Sequence, residues 1–265
     1  MRTLGIRLFI LTLAGWFLLS PVPEGTCRDY RYGLGTGLSY TSGDYGFKDD
    51  EEVFYIPLIF NAYLSDRLRG TVVLPWVHQS STKLISAGGS FYRITGNNIR
   101  ETGGSRSGLG DLLLLGEYDA LIETRDRPAV VLGGKLKLPT ASEDKGLGTG
   151  ELDVGATVEV GKTVHQLYYY GRLGYTFIGE PSRTDFDDPL LYEAGIGYEV
   201  NRDFFLTCSV VGETSIDDKV DNPLELAVIG NYGLPSALNL NGYLSLGLSD
   251  GSPDFGIGVG LLQKF

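Results

Sequence analysis

Methionine is almost missing from this chain: the single one is Met1. Met-rich helical packing is thereby disfavoured. Long apolar runs are missing too. Past the N-terminal segment no stretch approaches the ~20 apolar residues that a membrane helix needs, which excludes a helical inner-membrane protein. Positive charge is in deficit, with 22 Lys and Arg against 33 Asp and Glu, a net charge of −11. Such a chain is a poor nucleic-acid binder. Histidine is limited to His78 and His165, and cysteine to Cys27 and Cys208. No cofactor and no metal site is expected. What the chain has in excess is glycine, 38 residues, together with 16 tyrosines. That mixture belongs to twisted β-structure with aromatic packing.

The N-terminus reads as a secretory signal over residues 1–26. Arg2 and Arg7 supply positive charge ahead of an apolar run from Leu8 to Leu19, which Ser20 and Pro21 break. The run is too short for a transmembrane helix and suits a signal h-region. Residues 27–265 form the expected mature domain. Cys27 follows Glu24-Gly25-Thr26, which lacks the upstream leucine of a lipoprotein signal.

The mature chain alternates with period two. Tyr30, Tyr32, Leu34, Thr36, Leu38 and Tyr40 make the first apolar row, against Arg31, Gly33, Gly35, Gly37 and Ser39. Similar rows recur at 54–64, 68–76, 112–122, 130–138, 152–160, 167–177, 190–200, 204–210, 224–232, 238–248 and 255–265. None of the twelve rows holds a charged residue. The opposite faces carry Arg31, Arg69, Asp111, Glu117, Asp119, Lys135, Lys137, Glu151, Asp153, Glu159, Arg172, Glu193, Glu199, Glu213 and Glu225.

A soluble sandwich alternates in the same way, so the distinction comes from the connections. Short ones at 65–67, 125–127, 162–166, 201–203 and 234–237 alternate with long ones at 41–52, 78–107, 139–150, 179–189, 212–222 and 249–254. Short turns on one rim and long loops on the other describe an outer-membrane barrel. Hydrocarbon leaves no backbone polar group unpaired, so the sheet must close on itself. The reading is all-β: an antiparallel up-and-down barrel of about twelve strands, both termini periplasmic, in the bacterial outer membrane. Phe265 closes an alternating strand, resembling the terminal signal read by the barrel assembly machinery. Outer-membrane lipid and lipopolysaccharide are the other expected partners.

Gly108-Leu109-Gly110-Asp111, then Gly134 to Thr140 (GKLKLPT), then Gly148 to Asp153 carry a family pattern. They resemble the outer-membrane barrels named for the meta-pathway of phenol degradation, often called simply transporters. Ile56-Pro57-Leu58 and Leu74-Pro75-Trp76 are similar to that family too, whereas Ala141 stands where it usually has glycine. The resemblance implies a barrel importing hydrophobic or aromatic compounds.

Asp111, Glu117, Asp119, Lys135, Lys137, Glu151, Asp153, Glu159, Arg172, Glu193 and Glu199 are the expected pore-lining residues. Folding back at 125–127 sets Glu117 or Asp119 opposite Lys135. Folding back through 139–150 sets Glu151 or Asp153 opposite Lys137. These charges read either as a structural ladder or as a polar constriction that selects solutes. The leading function is passive passage of small molecules. A filled-lumen structural or loop-mediated binding barrel is the alternative. An esterase built on His78 and Ser80 comes third, since no orienting residue can be assigned to complete a triad. The acidic loop runs at 49–52, 185–188 and 217–218 read as solvated charge, or as sites for divalent cations that bridge to lipopolysaccharide. None has calcium-loop spacing.

Overall fold

The computed structural model describes residues 30–46, 49–81, 84–94, 104–181 and 185–265. The signal segment and Cys27 lie outside the described residues. Period-two alternation produces fifteen strands among the described residues. They are β1 (Tyr32–Gly43), β2 (Glu51–Tyr63), β3 (Leu68–Gln79), β4 (Leu84–Ala87), β5 (Ser90–Arg93), β6 (Arg106–Leu109), β7 (Leu112–Leu121) and β8 (Ala129–Leu138). The rest are β9 (Asp153–Val164), β10 (Leu167–Phe177), β11 (Leu190–Glu199), β12 (Phe204–Glu213), β13 (Leu224–Gly233), β14 (Leu238–Gly247) and β15 (Phe255–Lys264).

Thirteen of them make a wall of twelve positions. Each pairs antiparallel with its chain neighbours, and β1 pairs with β15, so the sheet closes. Both ends of the barrel chain therefore sit on one rim, where Phe265 N donates to Tyr32 O at 2.9 Å. β6 and β7 share one wall position against β3. The break between them falls at Gly110-Asp111, where Gly110 N donates to Pro75 O at 2.9 Å. Pro75 faces Pro57 across β2–β3. Neither has an N–H to give to a ladder.

The apolar rows point outward. Leu173, Leu244 and Val259 are each more than half exposed, while Glu159, Arg172 and Glu193 on the opposite parity are buried. That inversion is the one found in barrels surrounded by lipid. Aromatic rings gather outside near both rims. Tyr32 packs with Phe60 and Phe265 at the terminal rim. Tyr40 packs with Phe54 and Phe255 at the other. Such paired girdles mark the two interfaces of a bilayer.

Three details differ from the sequence reading. β9 begins at Asp153, so Glu151 belongs to the preceding loop. Lys135 stands opposite Leu115, because the β7–β8 register sets Glu117 against Gly133 and Asp119 against Val131. A one-residue bulge at Asp119/Leu121 makes that register invisible in turn length alone. The expected loop 78–107 contains strands among its described residues: β3 runs on to Gln79, and β4, β5 and β6 follow.

Candidate pore and its inserted hairpin

The hairpin β4–β5 is built from Leu84 to Arg93 around Gly88-Gly89. Both glycines have positive φ, 57° and 91°. That is the two-residue turn whose twist matches the flanking strands and which only glycine-like residues adopt freely. The signal was present in the sequence, but the segment is too short to stand out as a membrane strand.

The hairpin is not part of the wall. Leu84 and Phe91 on one face pack with Tyr45, Val53, Tyr55, Val77 and Leu147. Ala87 and Tyr92 on the other face pack with Ile178, Phe186 and Ile216, joined by Ile85. The first group belongs to β2, β3 and the loops beside them; the second belongs to the loops after β10 and β12. The hairpin thus crosses the long-loop mouth of the barrel as a partition. Burial pushes the Tyr92 phenol well above its ordinary value, and the nearby Glu213 carboxylate adds to the shift.

Polar contacts hold its tip. Gly88 N donates to Asp153 Oδ2 at 2.7 Å, and Lys135 Nζ donates to Gly88 O. Ser90 Oγ donates to Glu213 at 2.8 Å. Arg93 Nη1 donates to Tyr45 O at 3.1 Å. A Cβ on Gly88 would stand 3.2 Å from Ile178 Cδ1.

Lys137 is the centre of a buried hub beneath the hairpin. Its Nζ lies 2.8 Å from Asp111 Oδ2 and 3.2 Å from Asp153 Oδ2. It also donates to Thr149 Oγ1 at 3.1 Å and to Glu151 O at 2.9 Å. Asp111 Oδ1 accepts from Ala141 N, and Asp153 Oδ1 from Gly179 N, both at 2.9 Å. A Cβ on Gly148 would fall 2.5 Å from Asp111 Oδ2. Asp111, Lys137, Gly148, Thr149 and Asp153 all belong to the three segments that carry the family resemblance. Their joint role is to tie one side of the barrel mouth together.

The other charged positions of this half-wall pair among themselves. Glu117 binds Arg69. Arg172 binds Glu159 and, at 3.4 Å, Glu193. Tyr168 donates to Glu159 at 3.0 Å and Tyr170 to Glu193 at 2.6 Å. Glu199 and Asp119 are half-buried near the short-turn rim. The structure therefore gathers the expected residues into ion-pair sets rather than one continuous ladder.

Between these sets lies an apolar layer. Ile59, Val73, Leu113, Leu115, Leu191, Val211, Ala227, Ile229 and Tyr243 pack together, joining β2, β3 and β7 to β11–β14 through the interior. Sequence reading missed it, because each strand supplies only one or two of its members and closure of the sheet brings them together.

At the long-loop rim a cavity of about 720 Å³ opens between the β10–β11 and β12–β13 connections. Glu180, Asp187, Asp188, Asp217, Asp218 and Asp221 are among its lining residues. Nearby, burial and then the carboxylates of Asp44, Asp50 and Asp250 hold the Asp254 carboxyl above its ordinary value.

His78 and Ser80 do not form a pair. His78 Nδ1 is 2.7 Å from Ser107 Oγ and its ring stacks on Trp76. Ser80 Oγ donates to Glu51 at 2.8 Å and accepts from Glu52 N. His165 lies exposed in a short turn with φ 60°. Cys208 is exposed on the outer face and free.

The family model described as "Putative MetA-pathway of phenol degradation" matches residues 31–265. Among solved structures, an outer membrane channel from Pseudomonas putida F1 is similar at TM-score 0.69 and 16% identity. That match covers 91% of this chain and 97% of the other. The NanC porin is similar at TM-score 0.56 and 12% identity, covering 88% and 100%. The KdgM porin is similar at 0.53 and 8%, covering 88% and 99%. Likeness at such identities shows the fold, which is that of outer-membrane barrels. No curated protein sequence matches the chain at a significant level.

Proposed function

The chain belongs to the family so described, and from that premise we propose that it is a passive outer-membrane channel for small molecules whose long-loop mouth is closed by the hairpin β4–β5. The observation that carries this reading is the way the hairpin is held. It makes no ladder with the wall, and its tip is fastened by side-chain contacts from Asp153, Lys135 and Glu213. A plug attached in this way can leave while the barrel stays closed on itself.

Both termini are assigned to the periplasm and the long loops to the outside, as in other barrels of this build. Lipid and lipopolysaccharide surround the wall, and Phe265 is offered to the assembly machinery. Asp111, Glu117, Asp119, Lys135, Lys137, Glu151, Asp153, Glu159, Arg172, Glu193 and Glu199 line the passage, most of them as closed pairs. The family's name supports hydrophobic or aromatic solutes, and the apolar layer across the interior agrees with it.

That same layer favours a second reading, a filled-lumen structural or binding barrel. Planar-bilayer recordings separate the two. The wild type should conduct weakly, and a variant with residues 84–93 replaced by a short Gly-Ser linker should conduct more. Silence from both, with folding verified by heat modifiability, supports the filled barrel.

A further inference from the structure

The tip of the hairpin sits in a socket that the barrel wall supplies. Three side chains reach it from three strands. Lys135 on β8 donates from Nζ to Gly88 O. Asp153 on β9 accepts from Gly88 N at 2.7 Å, and Glu213 on β12 accepts from Ser90 Oγ at 2.8 Å. Both carboxylates are buried. The wall makes room for this meeting at Gly155, which lies in register between Lys135 and Thr176. A Cβ there would stand 3.0 Å from Lys135 Cε and 2.9 Å from Thr176 Oγ1. The lysine stem therefore passes over a bare backbone on its way to the tip.

Lys135 and Glu213 differ from the other charges of the interior. Lys137 serves Asp111 and Asp153, Arg69 serves Glu117, and Arg172 serves Glu159 and Glu193. Among the described residues the side-chain hydrogen bonds of Lys135 and Glu213 go to the hairpin. Charged groups inside a barrel are costly without partners. When the hairpin leaves, these two need others, and so does the Asp153 oxygen that held Gly88 N. What the tip offers defines what can replace it: an acceptor for the ammonium and neutral donors for two carboxylates. On either side lie apolar surfaces that the hairpin covers, Tyr55 and Val77 towards one face and Ile178, Phe186 and Ile216 towards the other. An apolar body with a few placed polar groups is the ordinary chemistry of a small-molecule site. A carboxylate end would be repelled by Asp153 and Glu213, and an ammonium end has no acceptor for Lys135.

We propose that the hairpin tip occupies a solute site in the mouth as a built-in competitor. The site takes aromatic solutes bearing a neutral amide, with the carbonyl on Lys135 and the N–H groups on Asp153 and Glu213. The proposal rests on the channel reading and names the chemistry that displaces the hairpin.

Benzamide is the probe, titrated calorimetrically into the barrel in detergent. It should bind the variant with residues 84–93 replaced by a short Gly-Ser linker about tenfold tighter than wild type, where the tip competes. N,N-Dimethylbenzamide keeps the carbonyl and loses both N–H donors, and should bind the linker variant several-fold more weakly than benzamide does. Lys135→Met and Glu213→Gln, each added to the linker variant, should also weaken benzamide several-fold. Gly88→Val, which loosens the tip of a whole hairpin, should fall between wild type and the linker variant, and carries the same comparison if the linker variant does not fold. Equal affinity of benzamide for wild type and both hairpin variants overturns the proposal. Equal affinity of the two amides does so as well, and so does absence of binding to a hairpin variant that stays heat-modifiable. Conductance is recorded separately. A rise on hairpin removal without benzamide binding sinks the site and leaves the channel reading standing. Binding without conductance in any variant keeps the site and sinks the channel.

Discussion

Lys137 and Asp153 occupy directly opposed positions on β8 and β9, with Nζ and Oδ2 3.2 Å apart and both side chains fully buried. The same Asp153 oxygen accepts the amide of Gly88 at the hairpin tip. The family-like segments and the closure of the mouth are thus one connected arrangement.

Lys137→Gln should cost the barrel about 3–5 kcal/mol, since it leaves Asp111 and Asp153 buried without a cation. Heat-modifiability midpoints on gels check this. A loss below about 1 kcal/mol, the range of an exposed pair, would show that the hub is open to water.

Gly88→Val should release the hairpin. A left-handed φ costs a β-branched residue roughly 1–2 kcal/mol, and the new Cβ would press on Ile178 and Thr176. Conductance should rise in a barrel that still resists heat as the wild type does. Unaltered conductance would mean that the hairpin does not obstruct the path.

Leu173→Arg and Leu244→Arg place a charge on the outward face, where both leucines are more than half exposed. Each should cost about 2–4 kcal/mol near the bilayer midplane and little near a rim. Refolding equilibria in lipid vesicles would reveal it. Leu173→Met should be close to neutral in the same assay.

Asp254 gives a pH dependence at the long-loop rim. Its folded value is raised, so the folded protein binds that proton more tightly than the unfolded chain does. Stability is lost as pH rises from the ordinary carboxylate range through the folded value, and regained on acidification. Asp254→Asn should raise the unfolding midpoint at neutral pH and leave it unchanged in acid. Parallel curves for the two proteins would show that neighbouring carboxylates do not crowd Asp254.

How far the sequence could be read follows from the range of each interaction. Leu173 faces lipid because residues two apart share a strand face, so parity is local. The alternation of short and long connections is local as well, and with parity it specifies an even, closed barrel. The loop at 139–150 left Glu151 or Asp153 opposite Lys137, and the strand register chooses Asp153. Lys135 was placed against Glu117 or Asp119 and stands against Leu115, and the bulge at Asp119/Leu121 shifts the register without leaving a mark in composition.

The interior was not legible. Gly88-Gly89 announces a tight turn, but nothing local says that the turn enters the barrel instead of standing outside it. That is decided by which surfaces it can cover: Tyr55 and Val77 on one side, Ile178 and Ile216 on the other, brought within reach only after the wall closes. The surroundings of Glu225, 2% exposed on β13, are of the same kind. Only the closed barrel determines that its surroundings include Tyr45, Tyr243 and Ser245. Periodicity fixes which way each side chain points, because it depends on backbone geometry over two residues. What a side chain meets across the lumen, as Ser90 meets Glu213, depends on strands more than a hundred residues away, and closure settles it.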